Sequence, residues 1–590
     1  MAGGLLNLIA IGNANVFLTG NPTKTFFRAT YSKHTNFGLQ KFRIDYTGSR
    51  DLRLTEPSTF TFKIPRYAEL LMDTYLVVTL PNIWSPIFPP VKPIYNTTDG
   101  YTVLNEDNHT NYKWVPYEFR WIEDLGAQMI RDIEIRCGAF TLARYSGDYL
   151  SAMVDRDFTE DKKKAFREMT GNVTELNNPA FGNGRSNTYP NAFFVESATG
   201  VEPSIRGRNL YIPLNTWFGM DTRSSFPLIA LQYNEIEISV TMRPIQDLFQ
   251  VRDVCDIDNE GSTYAYPYVR PDFNKERFQM FRFLQSPLKE HIYFVTDLSG
   301  NYPETASGEE DFPANYGYPD PDAYQNSINI WNADIHLIST YAFLSKEEAR
   351  QFAKEDQIYL VKEVFTHKFD NIYGSKKVKL ETTGMVSNWM WYFQRNDVNM
   401  RNEWSNYTNW PYRHLPSDVQ NAPDSLQNHP VERGIRYNTG FFISGKFNVE
   451  NHKHIMESMG IVLDGKYREN TLPRGVFDYI EKYARTNGFA KEGVYCYQFS
   501  LDTNPHNYQP SGAINLGKFK NIELEFITFT PQIDTQNSSY DIICGQNGQA
   551  AAINKTNWRL FEYTYNLVLF EERYNILSFV GGSCGMLYAR

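Results

Sequence analysis

The sequence predicts an all-β protein built from two large domains, and three observations support this. The chain has 590 residues, and all-β domains commonly run to about 200–250 residues, so two domains explain its length better than four. Aromatic residues make up 15% of the chain, with 39 Tyr and 41 Phe, which favours half-buried strand faces over helical bundles. Apolar and polar residues alternate in both halves, the period of a strand with one buried face.

The alternation occurs in segments spread along the whole chain. Each has apolar residues two positions apart, with polar residues between them: Phe60, Phe62 and Ile64; Ile133, Ile135 and Cys137; Ile236, Ile238, Val240 and Met242; Val378 and Leu380; Ile522, Leu524 and Phe526; and Phe561, Tyr563, Tyr565, Leu567 and Leu569. We expect antiparallel strands there. The pattern alone does not separate a sandwich from a jelly roll.

Few segments have helical spacing. Ser345 and Glu348 form a capping box ahead of a short helix, and a second helix is expected where Val476, Phe477, Ile480 and Tyr483 recur before Asn487-Gly488. The run Asp161-Lys162-Lys163-Lys164 precedes Phe166 and Met169, which indicates the charged face of a short helix in a long loop, with phosphate binding as a minor alternative.

Long polar stretches separate the predicted strands. They cover residues 82–113, 155–209, 300–325 and 400–440. Loops of this length in a compact domain are usually functional surfaces. A boundary is expected after Arg243-Pro244, where an alternating strand ends and a charged linker begins.

Charge and cysteine content exclude several classes of protein. The net charge is −10, from 58 basic and 68 acidic residues, so direct binding of nucleic acid is not expected. The five cysteines lie far apart, which is neither a disulfide framework nor a zinc spacing, and a reducing compartment is predicted. A signal peptide begins with a positively charged region, but no basic residue precedes Lys24, so a signal peptide is not expected. No apolar run approaches the ~20 residues of a membrane-spanning helix.

The apparent catalytic motifs are weak. Gly581-Gly582-Ser583-Cys584-Gly585 matches the nucleophile-elbow string, but too few residues follow Ser583 to supply the acid and the His of that class. An order with upstream partners stays possible, although scattered histidines make chance partners easy. His452 and His454 share one side of a predicted strand without further ligands, so a solvated pair is favoured over a metal site. We expect no cofactor and no catalysis.

Several longer phrases resemble major capsid proteins of nucleocytoplasmic large DNA viruses. In the first half they are IPRYAELLMDTYLVVTLP (64–81), WIEDLGAQMIRDIEIRCGAFTLARYSGDYL (121–150) and LYIPLNTWFGMDTRSSFPLIALQYNEIEISVTMRP (210–244). In the second half they are YQFSLDTNPHNYQPSGAINLGKFKNIELEF (497–526) and YNILSFVGGSCGMLYAR (574–590). The opening GGLLNLIAIGNANVFLTGNPTKTFFRATYSKHTNF is similar to the mimivirus-like and phycodnavirus-like branch.

This resemblance implies two consecutive eight-stranded antiparallel jelly rolls. It divides the chain into an N-terminal arm (1–25), a first jelly roll (26–243), a linker (244–285) and a second jelly roll with a C-terminal tail (286–590). It further implies homotrimeric, pseudo-hexagonal capsomers that tile an icosahedral shell over an internal membrane. Their partners would be neighbouring capsomers, pentons and minor capsid proteins, and the protein would be made in the host cytoplasm.

Two sets of residues are expected to serve this role. The apolar arm residues Leu5, Leu6, Leu8, Ile9 and Ile11 would meet a protein partner or the membrane-facing side. Glycans are plausible on sequon asparagines, since related capsid proteins are glycosylated: Asn96, Asn108, Asn172, Asn406, Asn537 and Asn554. The main alternative is a β-sandwich carbohydrate-binding or spike protein that uses an exposed aromatic loop with Trp404, Tyr407, Trp410 and Tyr412.

Overall fold

The computed structural model describes most of the chain. The described residues are 16–48, 51–85, 87–88, 115–116, 118–185, 189–190, 203–252, 268–274, 278–286, 324–413, 452–507, 509–533, 540–544, 549–555 and 561–588. The predicted loop 300–325 and the arm residues Leu5 to Ile11 therefore fall almost entirely outside them, as does most of 82–113.

Strands dominate the described part of both halves. The first fourteen are β1 (Phe37–Asp45), β2 (Ser58–Lys63), β3 (Leu70–Thr79), β4 (Ile87–Phe88), β5 (Val115–Pro116), β6 (Glu118–Trp121), β7 (Ile130–Cys137), β8 (Phe140–Tyr145), β9 (Asn209–Pro213), β10 (Phe226–Pro227), β11 (Ile236–Met242), β12 (Phe249–Arg252), β13 (Tyr268–Val269) and β14 (His336–Leu344). The others are β15 (Gln357–Ile372), β16 (Ser375–Leu380), β17 (Met385–Arg395), β18 (Met456–Leu463), β19 (Lys466–Pro473), β20 (Val494–Gln498), β21 (Ile514–Asn515), β22 (Ile522–Thr528), β23 (Tyr540–Cys544), β24 (Ala550–Lys555), β25 (Tyr565–Val580) and β26 (Ser583–Met586).

The helices are short. They are α1 (Val16–Thr19), α2 (Leu125–Met129), α3 (Gly147–Asp157), α4 (Glu160–Thr170), α5 (Thr174–Asn177), α6 (Trp217–Met220), α7 (Phe281–Leu284), α8 (Lys346–Lys354) and α9 (Glu481–Arg485), with a π-helical turn at Val476–Ile480 directly before α9. Short 3-10 turns lie at Pro179–Gly184, Thr222–Ser224, Leu228–Ala230, Ile245–Asp247, Val398–Met400 and Leu516–Lys518.

The first half is a sandwich of two antiparallel sheets. One has the order β1-β14-β3-β10, with β9 also paired to β3, and the other has the order β2-β11-β7-β8. Strand β11 shows the predicted alternation, because every second residue from Ile236 to Met242 is buried. Its inward side chains share one core with those of β2, β3 and β7. The strands predicted around Phe60, Ile133 and Ile236 are thus confirmed.

The second half is a second sandwich of the same kind. Its sheets have the orders β15-β25-β17-β20 and β16-β22-β18-β19, with β21 and β26 added to β17 and β25. The strands predicted around Val378 and Ile522 are confirmed as β16 and β22. The last predicted strand begins at Tyr565, four residues later than the alternation that starts at Phe561.

One strand stands apart from the predicted division of the chain. Residues 336–344 lie within the second jelly roll of the predicted division (286–590). They nevertheless pair as β14 with β1, from Phe37↔Leu344 to Asp45↔His336, and also with β3. The first sandwich therefore takes a central strand from beyond residue 286. The other predicted domain limits remain predictions.

The predicted helices are present, with two corrections to their surroundings. At the start of α8, Ser345 accepts a hydrogen bond from the Glu348 amide, which is one of the two hydrogen bonds of a capping box. The stretch 155–209 is not one loop, since it contains α4, α5 and the end of α3. Nor is the lysine run wholly solvated, because Lys163 is buried and its ammonium contacts Glu160 at 2.8 Å.

Candidate functional site at the interface between the two sandwiches

In the sheet β15-β25-β17-β20, the strands β25, β17 and β20 bury side chains on both faces, and this joins the two halves. Trp389, Trp391 and Phe393 of β17 point into the core of the second sandwich. The intervening Met390 and Tyr392 pack into the core of the first. Strands β20 and β25 divide their side chains in the same way. Because successive strand residues face opposite sides, one sheet serves two hydrophobic cores.

Helix α3 carries polar groups into this interface. Ser146 caps it by accepting a hydrogen bond from the Tyr149 amide, which satisfies a backbone donor at the helix start. Gly147 lets the helix approach α2 closely, because a Cβ there would lie 1.8 Å from the Ala127 carbonyl oxygen. This approach sets the position of Arg156 in the last turn of α3.

Arg156 is the centre of a buried network that spans both halves. Its Nη2 donates to Glu572 Oε1 at 2.6 Å and its Nη1 to Asn388 Oδ1 at 2.9 Å. It also makes a two-point contact with Asp157 at 2.9 and 2.7 Å. Tyr149 donates to Glu572 at 3.0 Å. All five side chains are buried, so each donor and acceptor depends on its partners in the network.

The charges of the network are set by burial and by each other. Burial opposes ionisation of Glu572, but Arg156 and Lys362 outweigh it and hold the pKa of Glu572 at about 2. Burial raises the pKa of Asp157 above its ordinary value in spite of the adjacent guanidinium. Glu572 is therefore the firmly ionised partner of Arg156 across the interface, and Asp157 the more easily protonated one.

A cavity of about 110 Å³ lies beside this network. Its walls come from both halves and include Tyr149 and Arg156 of the first and Lys362, Gln509 and Pro510 of the second. The Gln509-Pro510-Ser511-Gly512 turn forms part of the wall, and Gly512 has φ 124°, which favours glycine. Among the described residues, no group of three or more His, Cys, Asp or Glu side chains is arranged to hold a metal ion.

A second charged cluster ties α2 to the other half. Asp124 precedes α2 in a left-handed conformation with φ 51°. Its carboxylate accepts hydrogen bonds from Lys491 at 2.5 Å and from Ser405 at 2.9 Å. Burial raises the pKa of Asp124, but Lys491 and Arg413 outweigh this and lower it overall. These contacts anchor the segments around residues 405 and 491 to the first sandwich.

The aromatic loop predicted to be exposed is instead packed against the first sandwich. Trp404 Nε1 donates to the Asp247 carbonyl at 2.9 Å, and the Arg243 guanidinium lies 4.3 Å from the Trp404 ring centre. Tyr407 is buried, and Tyr412 donates to the Tyr268 carbonyl at 2.7 Å. The loop contributes to the interface, so the expectation of an open carbohydrate-binding surface here is wrong.

The predicted glycosylation sites are only partly described. Asn96, Asn108 and Asn537 lie outside the described residues, and Asn554 lies in β24 without a described side chain. Asn172 donates to Asp124 and accepts from Asn177 at 2.7 Å. Asn406 is 1% exposed, donates to the Trp410 carbonyl and accepts from Thr408. A glycan on Asn406 is incompatible with this packing, which corrects the expectation for that residue.

The weak catalytic and metal candidates occupy structural positions. Ser583 follows a two-residue turn between β25 and β26, in which Gly581 and Gly582 have φ 58° and 85°. This is a hairpin turn, whereas a nucleophile elbow joins a strand to a helix. His452 and His454 precede β18, outside a strand, and both are half-buried rather than solvated. The His452 ring stacks on Phe529.

The sequence contained one signal for the interface that pattern reasoning missed. Glu571 and Glu572 interrupt the apolar strand YNLVLFEERYNILSFV, and both are buried. Buried carboxylates need charged or hydrogen-bonding partners. An acidic pair in the middle of an otherwise apolar strand therefore indicates a partner from another element.

Comparisons with known proteins agree with this architecture. A family model described as major capsid protein N-terminus matches residues 25–266, and one described as large eukaryotic DNA virus major capsid protein matches residues 348–585. The major capsid protein of Phaeocystis pouchetii virus is 23% identical over 99% of both chains. That of Paramecium bursaria Chlorella virus 1 is 21% identical over 100% of both.

Solved structures show the same fold. A quasi-atomic model of the PBCV-1 virus capsid matches with a TM-score of 0.54 and 17% identity, covering 96% of this chain and 100% of that one. The Faustovirus major capsid protein matches with a TM-score of 0.53 and 12% identity, covering 98% of each.

Two sandwiches fused through a shared sheet, together with these matches, define a double jelly-roll capsid protein. The chain belongs to the family of major capsid proteins of large eukaryotic DNA viruses, and it is a structural component of the virion capsid. In the described part of the chain, no helix is both long and apolar enough to span a membrane.

Proposed function

We propose that three copies of this chain form a closed trimer with a pseudo-hexagonal outline, and that such trimers tile an icosahedral shell. The observation that carries this proposal is the sheet β15-β25-β17-β20, whose strands β25, β17 and β20 contribute side chains to both cores. It holds the two sandwiches as one body, together with the Arg156 network. Three rigid pairs of similar sandwiches place six around a threefold axis, which approximates a hexagon.

A closed ring of three requires two different surfaces on each subunit that fit each other. The chain exposes two separate apolar patches. The helix patch consists of Tyr479, Ile480, Tyr483 and Phe489, and its Tyr483 is 90% exposed. The hairpin patch consists of Tyr233, Ile358 and Val580, each more than half exposed. Burial of exposed apolar side chains favours association, so these patches are the proposed contact surfaces within the trimer.

The remaining partners follow from the family and from the arm. Phe17, Phe26, Phe27 and Tyr31 are almost fully exposed in the described part of the N-terminal segment. Apolar side chains displayed this way suit contact with another protein. Neighbouring capsomers, pentons, minor capsid proteins and an inner membrane are the proposed neighbours in a shell assembled in the host cytoplasm. The net charge of −10 disfavours direct contact with nucleic acid, and the proposed role includes no catalysis.

The trimer is tested by light scattering on the purified full-length protein. We expect a molar mass of three chains, and Tyr483→Lys should shift the protein to the mass of one chain because a charge would replace an aromatic ring in the contact. Ile543→Lys, which changes an exposed apolar residue outside both patches, should leave the trimer intact. Matching circular dichroism spectra for the two variants would show that Tyr483→Lys leaves the fold intact and acts on association. A monomeric unmodified protein at micromolar concentration would contradict the proposal.

A further inference from the structure

The C-terminal hairpin is clamped onto the first sandwich. The Gly582 carbonyl accepts hydrogen bonds from the amides of Gln232 at 2.8 Å and Tyr233 at 3.2 Å. The contact is close enough that a Cβ on Gly582 would lie 3.0 Å from the Gln232 Cβ. The turn between β25 and β26 therefore has a defined position against the segment that leads into β11.

The same segment also holds the turn between β7 and β8. The Gly138 amide donates to the Glu235 carbonyl at 3.1 Å, and a Cβ on Gly138 would meet Asn234 Oδ1 at 3.2 Å. Residues 232–235 thus fix two turns, one from each half of the protein. Cys137 immediately precedes Gly138, and Cys584 lies two residues after Gly582.

This arrangement brings two thiols together. Cys137 is 0% and Cys584 4% exposed, and both belong to one hydrophobic core. Strand β26, which carries Cys584, contacts strand β8, whose Phe140 pairs with Cys137, and the two thiols lie close enough to affect each other's ionisation. The interaction with Cys584 and the charge of Arg66 lower the pKa of Cys137 in spite of its burial, whereas the interaction with Cys137 and burial raise the pKa of Cys584. Cys137 is therefore the better nucleophile of the two.

We propose that Cys137 and Cys584 form a reversible disulfide that fastens the C-terminal hairpin to the first sandwich, with hydrogen peroxide as the oxidant. The bond requires the two sulfurs to approach each other to about 2.05 Å. Strand β26 is only partly buried along its length, so a small oxidant would reach the pair by local opening of this strand.

The chemistry balances with one peroxide molecule for each disulfide. The Cys137 thiolate attacks a peroxide oxygen, the O–O bond breaks, and a sulfenic acid and hydroxide form; the hydroxide takes the proton released from Cys137 and becomes water. The Cys584 sulfur then attacks the sulfenic sulfur, the S–O bond breaks, and a second water leaves with the Cys584 proton. Each sulfur loses one electron and the peroxide gains two. A thiol reductant reverses the bond by exchange.

The bond would stabilise the folded chain. It closes a loop that contains most of the sequence, and closing long loops restricts the unfolded state strongly. It would also hold the last strand of the second sandwich on the first. Because a reducing cytosol keeps thiols reduced, the disulfide would form when the amount of peroxide exceeds that of the available reductant.

Peptide mapping of the full-length protein tests the proposal, whether or not the protein is trimeric. The protein used for mapping carries the changes Cys255→Ser and Cys544→Ser. They remove one cysteine that lies outside the described residues and one that is exposed, respectively. After peroxide treatment, denaturation and alkylation of free thiols, we expect Cys137 and Cys584 in one linked peptide pair that is two hydrogens lighter. Buried Cys496, whose pKa burial raises to about 11, should be alkylated. Alkylation of both Cys137 and Cys584 after peroxide would overturn the proposal.

Thermal unfolding distinguishes the effect of the disulfide from the effect of a chemical change at a single thiol. Peroxide should raise the thermal midpoint by several degrees, and dithiothreitol should restore the original value. Cys584→Ser should lose both the linked peptide and the rise, while the matched Cys496→Ser variant should keep both. A linked peptide without a rise would overturn the fastening role. The peptide mapping uses protein in which Cys137 and Cys584 are intact, so it tests the proposal even if the Cys584→Ser variant fails to fold.

Discussion

Arg156 and Glu572 join the two sandwiches through a hydrogen-bonded ion pair of 2.6 Å in which the side chains are 1% and 2% exposed. Arg156 ends a helix of the first half and Glu572 lies in a sixteen-residue strand of the second. Two charges are removed from water here, so loss of either one leaves the other buried without its partner across the interface. The pair therefore specifies how the halves dock as well as holding them together.

Removal of the negative partner should destabilise the protein strongly. Glu572→Gln leaves the Arg156 guanidinium without its ionised partner across the interface, and breaking a buried pair in this way costs about 3–5 kcal/mol. The measurement is the urea midpoint of unfolding. Glu525→Gln removes a surface partner of Lys377 and should leave the midpoint nearly unchanged, because exposed pairs contribute little. Equal midpoints for the two variants would show that the buried pair is unimportant.

The approach of α3 to α2 should not tolerate a side chain at residue 147. In Gly147→Ala the new Cβ would lie 1.8 Å from the Ala127 carbonyl oxygen and 2.6 Å from that of Ile130, so α3 must shift and carry Arg156 with it. We expect a clear drop in the thermal midpoint. Gly38→Ala is the matched control, since nothing lies within 4 Å of its Cβ. A normal midpoint for Gly147→Ala would show that the two helices can separate without cost.

Acid should weaken the protein between about pH 5 and pH 2. Burial opposes ionisation of Asp397, but Arg395 and Arg401 hold its pKa at about 2, as Arg156 and Lys362 do for Glu572. Unfolded carboxyl groups titrate near pH 4. As pH falls below that, the unfolded chain takes up protons first, and the stability contributed by these groups is lost. Urea midpoints measured from pH 7 to pH 2 should fall accordingly.

Asp397→Asn tests the source of this pH dependence. The variant should be less stable at pH 7 by about 2 kcal/mol, the equivalent of the lowered pKa, and its midpoint should fall less steeply in acid. Asp370→Asn, at an exposed position, should follow the unsubstituted protein. Parallel curves for Asp397→Asn and the unsubstituted protein would contradict the assignment.

Asn406 should carry no glycan in protein isolated from virions. Its Nδ2 donates to the Trp410 carbonyl at 2.8 Å, and its Oδ1 accepts from the Thr408 amide and hydroxyl at 3.0 and 2.7 Å. A sugar on Nδ2 would require this buried turn to open. Glycopeptide mapping checks the prediction, with Asn96 and Asn108 as the comparison sites where glycans remain proposed. A glycan at Asn406 would show that the turn is open when the chain is modified.

The sequence predicts strand β11, which has one buried face, and misses strand β17, which has two. Strand β11 alternates and is predicted from Ile236 to Met242. Strand β17 reads MVSNWMWYFQR without alternation, because its two sets of side chains enter two different cores. Periodicity cannot distinguish such a run from a buried helix. Strand β14 is missed for a related reason, since four successive residues from Ser339 to Ala342 are all buried between β1 and β3.

The site was harder to predict than the fold because its members are distant in sequence. Arg156, Asn388 and Glu572 belong to three different elements, and sequence spacing carries no information on their contact. The prediction that the aromatic loop around Trp404 is exposed fails for the same reason. Its rings are apolar and lie in a polar stretch, but only the tertiary contact with Asp247 and Arg243 shows that they are covered.

Single-particle imaging of the purified full-length protein tests the central claim most directly. We predict a particle with threefold symmetry, a hexagonal outline and two sandwich-sized lobes from each chain. Isolated two-lobed particles, each the size of one chain, would contradict the proposed capsomer even though the double jelly-roll fold would stand.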